Sequence, residues 1–160
     1  MTTTELGVGT EVTIDRIFAA PRGLVFDCMT KAEHLARWWG PRMFDVPQCE
    51  SDARVGGAIM IEMRGPEPYG SNVVRGEYLE VSPPDRLSFR LRAFEGADGS
   101  WGIQHVTTMA FEEGPGGTTL MKMRTVTEQV SEELLPALAG MREGWSQSFE
   151  KLETHLAELG

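Results

Sequence analysis

The feature that most constrains this chain is its end. Leu138, Met141, Trp145, Phe149, Leu152, Leu156 and Leu159 step by three and four. At about 100° per residue they fall in an arc roughly 80° wide, a single apolar stripe on an amphipathic helix. A helix from Ser131 to Leu159 would be roughly 40 Å long at 1.5 Å per residue. Pro136 lies too deep for the first turn of a helix capped by Ser131, so it either kinks the helix or marks its true start. A stripe of this length must be buried against another layer, and the sequence before it is mostly strand.

Glu11 to Ala20 reads as a strand with Val12, Ile14, Arg16 and Phe18 on one face. Pro21 ends it and suits the first turn of a short helix through Leu24, Val25, Phe26, Cys28 and Met29. Thr30 and Glu33 have the spacing of a capping box for a second short helix. That helix carries Leu35, Trp38 and Trp39 and is stopped by Gly40-Pro41. The centre alternates strands and turns. Strands are expected over 43–50, 58–64, 73–81 and 86–94, the last two joined by Ser82-Pro83-Pro84-Asp85. A hairpin of 103–112 and 118–126 surrounds Gly114-Pro115-Gly116-Gly117. The expected class is α+β: a curved antiparallel sheet of about six to seven strands, two short helices after the first strand, and one long C-terminal helix. Residues 1–10 are expected to form a flexible tail and 11–160 a single domain. One helix cannot cover a whole sheet face, so a cavity remains between sheet and helix unless large side chains fill it.

Charge narrows the partners. A net charge of −9 and a pI near 4.8 argue against nucleic acid and anionic membrane. No apolar run is long enough to insert in a bilayer, and the N-terminus has no basic-then-apolar leader. Cys28 and Cys49 are far apart and outside any Cys-x-x-Cys motif, so they read as reduced thiols of a cytoplasmic protein. Nine Met, seven Phe and four Trp supply soft, large apolar surface for a core or a ligand.

Several blocks resemble one superfamily. Ala19-Ala20-Pro21 with Val25-Phe26, Trp38-Trp39-Gly40-Pro41 and Arg54-Val55-Gly56-Gly57 come first. Gly76-Glu77-Tyr78-Leu79-Glu80-Val81, Pro83-Pro84-Asp85-Arg86-Leu87, Gly116-Gly117-Thr118, and Gly144-Trp145 with Leu152 follow. In this order, over residues 11–158, they resemble the SRPBCC, or START-like, superfamily. The branch they resemble is that of homologues of the activator of the heat-shock protein 90 ATPase, C-terminal-domain-like. The resemblance implies the helix-grip fold, in which a curved sheet grips the long helix around a cavity. Members bind lipids, hormones, polyketides or aromatic compounds, and some are cyclases or ring-modifying enzymes. The branch name comes from a co-chaperone with a further N-terminal domain, for which this chain has no room, so a chaperone partner is poorly supported. Fold alone does not settle function.

The leading expectation is binding of a small apolar or aromatic molecule between sheet and helix. Its wall is expected from Trp38, Trp39, Met109, Met121, Met123, Trp145 and Phe149. Adjacent on a helix, Trp38 and Trp39 point about 100° apart, so one belongs to the core and the other to the cavity rim. Family pattern would turn Leu120 and Lys122 inward. Polarity turns Met121 and Met123 inward instead, since a buried lysine is costly. Tyr69, Phe94 and Trp101 fall in or beside the longest irregular segments and are expected at the entrance. One alternative is a cyclase or ring-modifying enzyme in the same cavity, with His105, Glu62 or Tyr69 as weak catalytic candidates. The other is a chaperone-interacting module. No nucleophile elbow, phosphate loop or dinucleotide fingerprint is present, which weighs against an enzyme. No cofactor is expected, and no metal, because His34, His105 and His155 are scattered.

Two further patterns are structural. Glu62, Arg64, Arg75, Glu77, Arg90 and Arg92 alternate along strands and suit a charged ladder on the outer face. Ala137, Gly140, Gly144 and Ser148 form a small-residue stripe about 95° from the apolar one, which turns it away from the cavity. Two mid-helix glycines cost about 1 kcal/mol each. The expected compensation is close packing of a loop, or of a second copy in a homodimer, on that flank.

Overall fold

The computed structural model describes residues 6–68 and 70–160. Strand β1 (Glu11–Phe18) is followed by helices α1 (Arg22–Thr30) and α2 (Ala32–Trp38). Six strands come next: β2 (Asp45–Ser51), β3 (Ala58–Arg64), β4 (Ser71–Ser82), β5 (Arg86–Glu95), β6 (Trp101–Glu113) and β7 (Thr119–Val130). Helices α3 (Leu135–Ala139) and α4 (Met141–Leu159) close the chain. The strands form one antiparallel sheet in the order β1-β7-β6-β5-β4-β3-β2. The first strand closes on the last, and α4 lies across the concave face. This is the helix-grip fold.

Alternation sets the inner face. Val12 and Phe18 on β1, Ile59 and Ile61 on β3, and Leu87, Phe89 and Leu91 on β5 are buried. On β7 the buried apolar pair is Met121 and Met123, while Lys122 is exposed and pairs with Glu112 at 3.1 Å. Solvation of the ammonium decides which face turns in. From α4, Phe149 meets Phe18 edge-on at 5.9 Å and stacks with Trp38 at 6.2 Å. Arg142 donates to the Thr13 carbonyl at 2.8 Å, and Arg16 pairs with Glu153 at 2.9 Å, which ties the helix across β1. On the outer face Arg92 grips Glu77 through both terminal nitrogens, at 2.9 and 3.0 Å, and Arg90 reaches Glu128 at 2.7 Å. These pairs are the charged ladder, and Glu62 stands beside it, accepting from Ser71 at 3.0 Å.

Two local expectations change, at Thr30 and Trp101, and one is resolved, at Pro136. Thr30 does not cap α2: it ends α1, and its hydroxyl donates to the Phe26 carbonyl at 3.0 Å. Lys31 stands at the α2 N-cap, because a buried Thr30 finds its acceptor one turn back. Pro136 marks the start of the C-terminal helical segment, in the first turn of α3, where its missing N–H costs nothing, and a further interruption falls at Gly140. Trp101 opens β6, paired with Glu95, instead of lying in a loop.

Candidate functional site

A cavity of about 540 Å³ lies at one end of the sheet, under the α3–α4 junction. Met63 of β3, Val74 of β4, and Leu91 and Ala93 of β5 supply the floor, with Ile103 and His105 of β6 beside them. The segment after α2 supplies one wall through Trp39, Pro41 and Phe44. The helix flank supplies the other through Met141 and Trp145, which meets Trp39 edge-on at 5.2 Å. Volume and composition match small-molecule sites, which are mostly apolar with few polar groups.

Two backbone features shape the walls. Gly40 has φ +94°, a left-handed conformation that costs an L side chain about 1–2 kcal/mol and that turns the chain from α2 into the wall segment. Phe94 has φ +60°, and it too lines the cavity. Strict alternation would send Phe94 to the outer face, since Ala93 before it lines the cavity. The left-handed residue brings both side chains to the same space.

The wall segment is held from α4. The Lys151 ammonium donates to the carbonyls of Trp39, Gly40, Pro41 and Phe44 at 3.0–3.3 Å. Burial presses its pKa down, partly offset by Asp45. Gln147 accepts from the Arg42 amide at 3.0 Å, and Arg42 pairs with Glu150 at 2.8 Å.

Polar chemistry in the cavity is sparse. Among the described lining residues His105 is the one titratable group; Asn72 and Ser148 are neutral, and the Ser148 hydroxyl donates to the Gly144 carbonyl at 3.1 Å. Burial lowers the His105 pKa to about 4, with Glu128 pulling weakly the other way, so the imidazole is neutral near pH 7. Its Nδ1 is buried without a hydrogen-bond partner. Thr127, opposite His105 in the β6–β7 register, has a buried, unpartnered Oγ1 as well. Two orphaned polar atoms on neighbouring strands are unusual, because leaving one unpaired costs about 1–3 kcal/mol.

The expected wall residues divide. Trp39 and Trp145 line the cavity. Trp38, Met109, Met121, Met123 and Phe149 do not: they are packed in the core between sheet and helix, at 0–2% exposure. Trp38 donates its indole N–H to the Cys28 carbonyl at 2.8 Å, which fixes it as the inward member of the pair. Phe94 borders the cavity, whereas Trp101 is not among its lining residues. Tyr69 lies outside the described residues. Glu62 points from the outer face, away from the cavity that holds His105.

The small-residue stripe overturns its expectation. Ala137, Gly140, Gly144 and Ser148 all line the cavity. Among the described residues, a Cβ at Gly144 would meet only Pro41 Cγ, at 3.7 Å, and one at Gly140 only two carbonyl oxygens, at 3.7 and 3.8 Å. Nothing packs tightly there. The missing side chains make the space.

The histidines are not all scattered. His34 Nδ1 and His155 Nε2 lie 2.9 Å apart, beside Cys28. Cys28 and Cys49 are free thiols, and burial pushes both up to about 11.

A helix-grip scaffold with an apolar cavity under its last helix defines the class of protein. The family model of the Activator of Hsp90 ATPase homolog 1-like protein matches residues 19–157, and the chain belongs to that family. No curated protein matches it. Among solved structures it is similar to the AHSA1 protein of Silicibacter pomeroyi, at 25% identity and TM-score 0.74, over 94% of this chain and all of that one. A Rhodobacter sphaeroides protein is similar at 23% identity and TM-score 0.74, over 98% of both chains. A protein from Arthrobacter aurescens reaches TM-score 0.77 at 24% identity, over 92% of this chain and 86% of that one. The last two likenesses carry the fold alone. No described helix is long and apolar enough to cross a membrane.

Proposed function

We propose that the protein binds a small, largely apolar or aromatic molecule in the cavity between the sheet and the C-terminal helix, with one hydroxyl or carbonyl of the ligand turned to His105. The observation that carries this reading is the cavity itself: about 540 Å³, walled by Trp39, Phe44, Phe94, Met141 and Trp145, with the neutral imidazole of His105 on its lining. Burying apolar ligand surface there is worth roughly 25 cal/mol per Å², so affinity needs no charged anchor. A neutral imidazole both donates and accepts hydrogen bonds, which suits a phenol, alcohol or ketone better than a carboxylate. An enzymatic version of this site would rest on His105 as the proton acceptor or donor, since Glu62 faces away.

Titration with 1-naphthol, read by quenching of Trp39 and Trp145 fluorescence, tests the reading. Saturable one-to-one quenching that disappears in Gly144→Leu is expected. Quenching equal in wild type and variant, or none, would overturn it. Native mass spectrometry of freshly purified protein supplies the natural ligand by its mass.

A further inference from the structure

Outside the cavity, one cluster of side chains has ligand chemistry of its own. Cys28 of α1, His34 of α2 and His155 of α4 present one sulfur and two imidazole nitrogens, all within 4.8 Å of one another. Cys28 is fully buried, His155 is 8% exposed and His34 is half-buried. None of the three lines the cavity.

The arrangement is incomplete as a hydrogen-bonded network. His34 Nδ1 and His155 Nε2 share one bond, at 2.9 Å. The other nitrogen of His155, Nδ1, is buried with no partner. Two imidazoles and a thiol thus converge where three helices meet, and one buried nitrogen of His155 is left without a partner. The nearby charges are paired elsewhere: Arg37 with Glu158 at 3.9 Å, and Lys31 with Asp27 at 3.6 Å.

We propose that Cys28, His34 and His155 form a binding site for a thiophilic divalent cation of the zinc type, with a solvent ligand in the fourth position on the half-open His34 side. One thiolate and two imidazoles is a donor set that suits a borderline-soft metal and disfavours Mg2+ or Ca2+, which take oxygen. Three protein ligands with a fourth position open is the pattern of a site that retains an exchangeable water. The cation takes the place of the proton between the two histidines. His34, if protonated at Nδ1, moves that proton to Nε2 and binds through Nδ1. The Cys28 S–H bond breaks, a sulfur–metal bond forms, and one proton leaves to solvent for each cation bound. Neither the metal nor the sulfur changes oxidation state. The helices need only small adjustments, because tetrahedral coordination with bonds of about 2.0–2.3 Å sets ligand atoms about 3.3–3.7 Å apart, so the two nitrogens part slightly from 2.9 Å and the sulfur stays within the present 4.8 Å span.

Titration of reduced protein with Co2+ at mildly alkaline pH tests this, followed by displacement with Zn2+. The wild type is expected to develop a thiolate-to-cobalt band in the ultraviolet and the intense visible bands of four-coordinate cobalt, saturating at one equivalent. Cys28→Ser should lose the ultraviolet band and weaken binding about a hundredfold, and Cys49→Ser should change neither. Release of one proton predicts an affinity that rises about tenfold per pH unit. Should Cys28→Ser fail to fold, His34→Gln, on the half-open side, replaces it and is expected to remove the visible bands. Co2+ spectra that persist in Cys28→Ser or His34→Gln, or an excess of Co2+ that gives no thiolate band in the wild type, would overturn the proposal.

Discussion

The ammonium of Lys151 stands 3.0 Å from the carbonyl oxygen of Phe44 and also donates to the carbonyls of Trp39, Gly40 and Pro41. One side chain of the gripping helix thereby fixes the backbone of a whole cavity wall. Hydrogen bonds to a charged group contribute about 1.5–3 kcal/mol. Lys151→Met should destabilise the fold by about 2 kcal/mol and speed amide exchange in residues 40–44, while exchange in the Met109–Met123 region of the sheet stays slow. Hydrogen-exchange mass spectrometry separates these regions.

Gly144 is conformationally costly and sterically free. Gly144→Ala should stabilise the protein by about 1 kcal/mol, because Ala is the better helix former and its Cβ finds no close neighbour. Gly144→Leu should fold as well as the wild type and lose ligand, because its side chain enters the cavity. Thermal unfolding and fluorescence titration, run on the same samples, decide between packing and volume as the reason for glycine.

Phe94 combines a left-handed backbone with 41% exposure and a place on the cavity wall. Phe94→Gly relieves the backbone and removes the ring. Stability should change by less than about 1 kcal/mol, while ligand affinity falls about tenfold, or 1.4 kcal/mol. Phe94→Val, β-branched, should be the less stable of the two in denaturant titrations.

His105 ties stability to pH. Its pKa falls from 6.5 to about 4 in the folded protein, mainly through burial, with Glu128 the charge that opposes the shift. The unfolded chain therefore binds its proton first. The stabilising contribution is complete above pH 6.5 and is lost as pH drops toward 4, on the order of 3 kcal/mol in all. His105→Gln should flatten this part of the stability profile, as followed by urea midpoints across that range.

Strand alternation and helix periodicity carried most of the architecture. Met121 and Met123 face inward because Lys122 must stay solvated, which the residues themselves express. The cavity was harder to read, for a physical reason: periodicity marks where apolar side chains are, and a cavity is where they are missing. Met109, Met121, Met123 and Phe149 therefore looked like wall and are core, while Gly140 and Gly144 looked like a packing seam and are wall. Phe94 reaches the cavity through one positive φ that no alternation pattern records. His34 and His155 are 121 positions apart and meet only because α2 packs on α4, so no spacing rule finds them.

The division between buried core and walled space has a consequence for how such a chain can change. The floor and the Trp39–Trp145 wall of the cavity are shared with the core, through Trp39, Val74, Leu91 and Trp145, whereas the Ala137–Ser148 flank of small residues is not part of the apolar core cluster. Substitutions along the Ala137–Ser148 flank can therefore reshape ligand preference with little effect on folding. On the proposed reading, the shape of the site can therefore change along this flank while the fold stays intact.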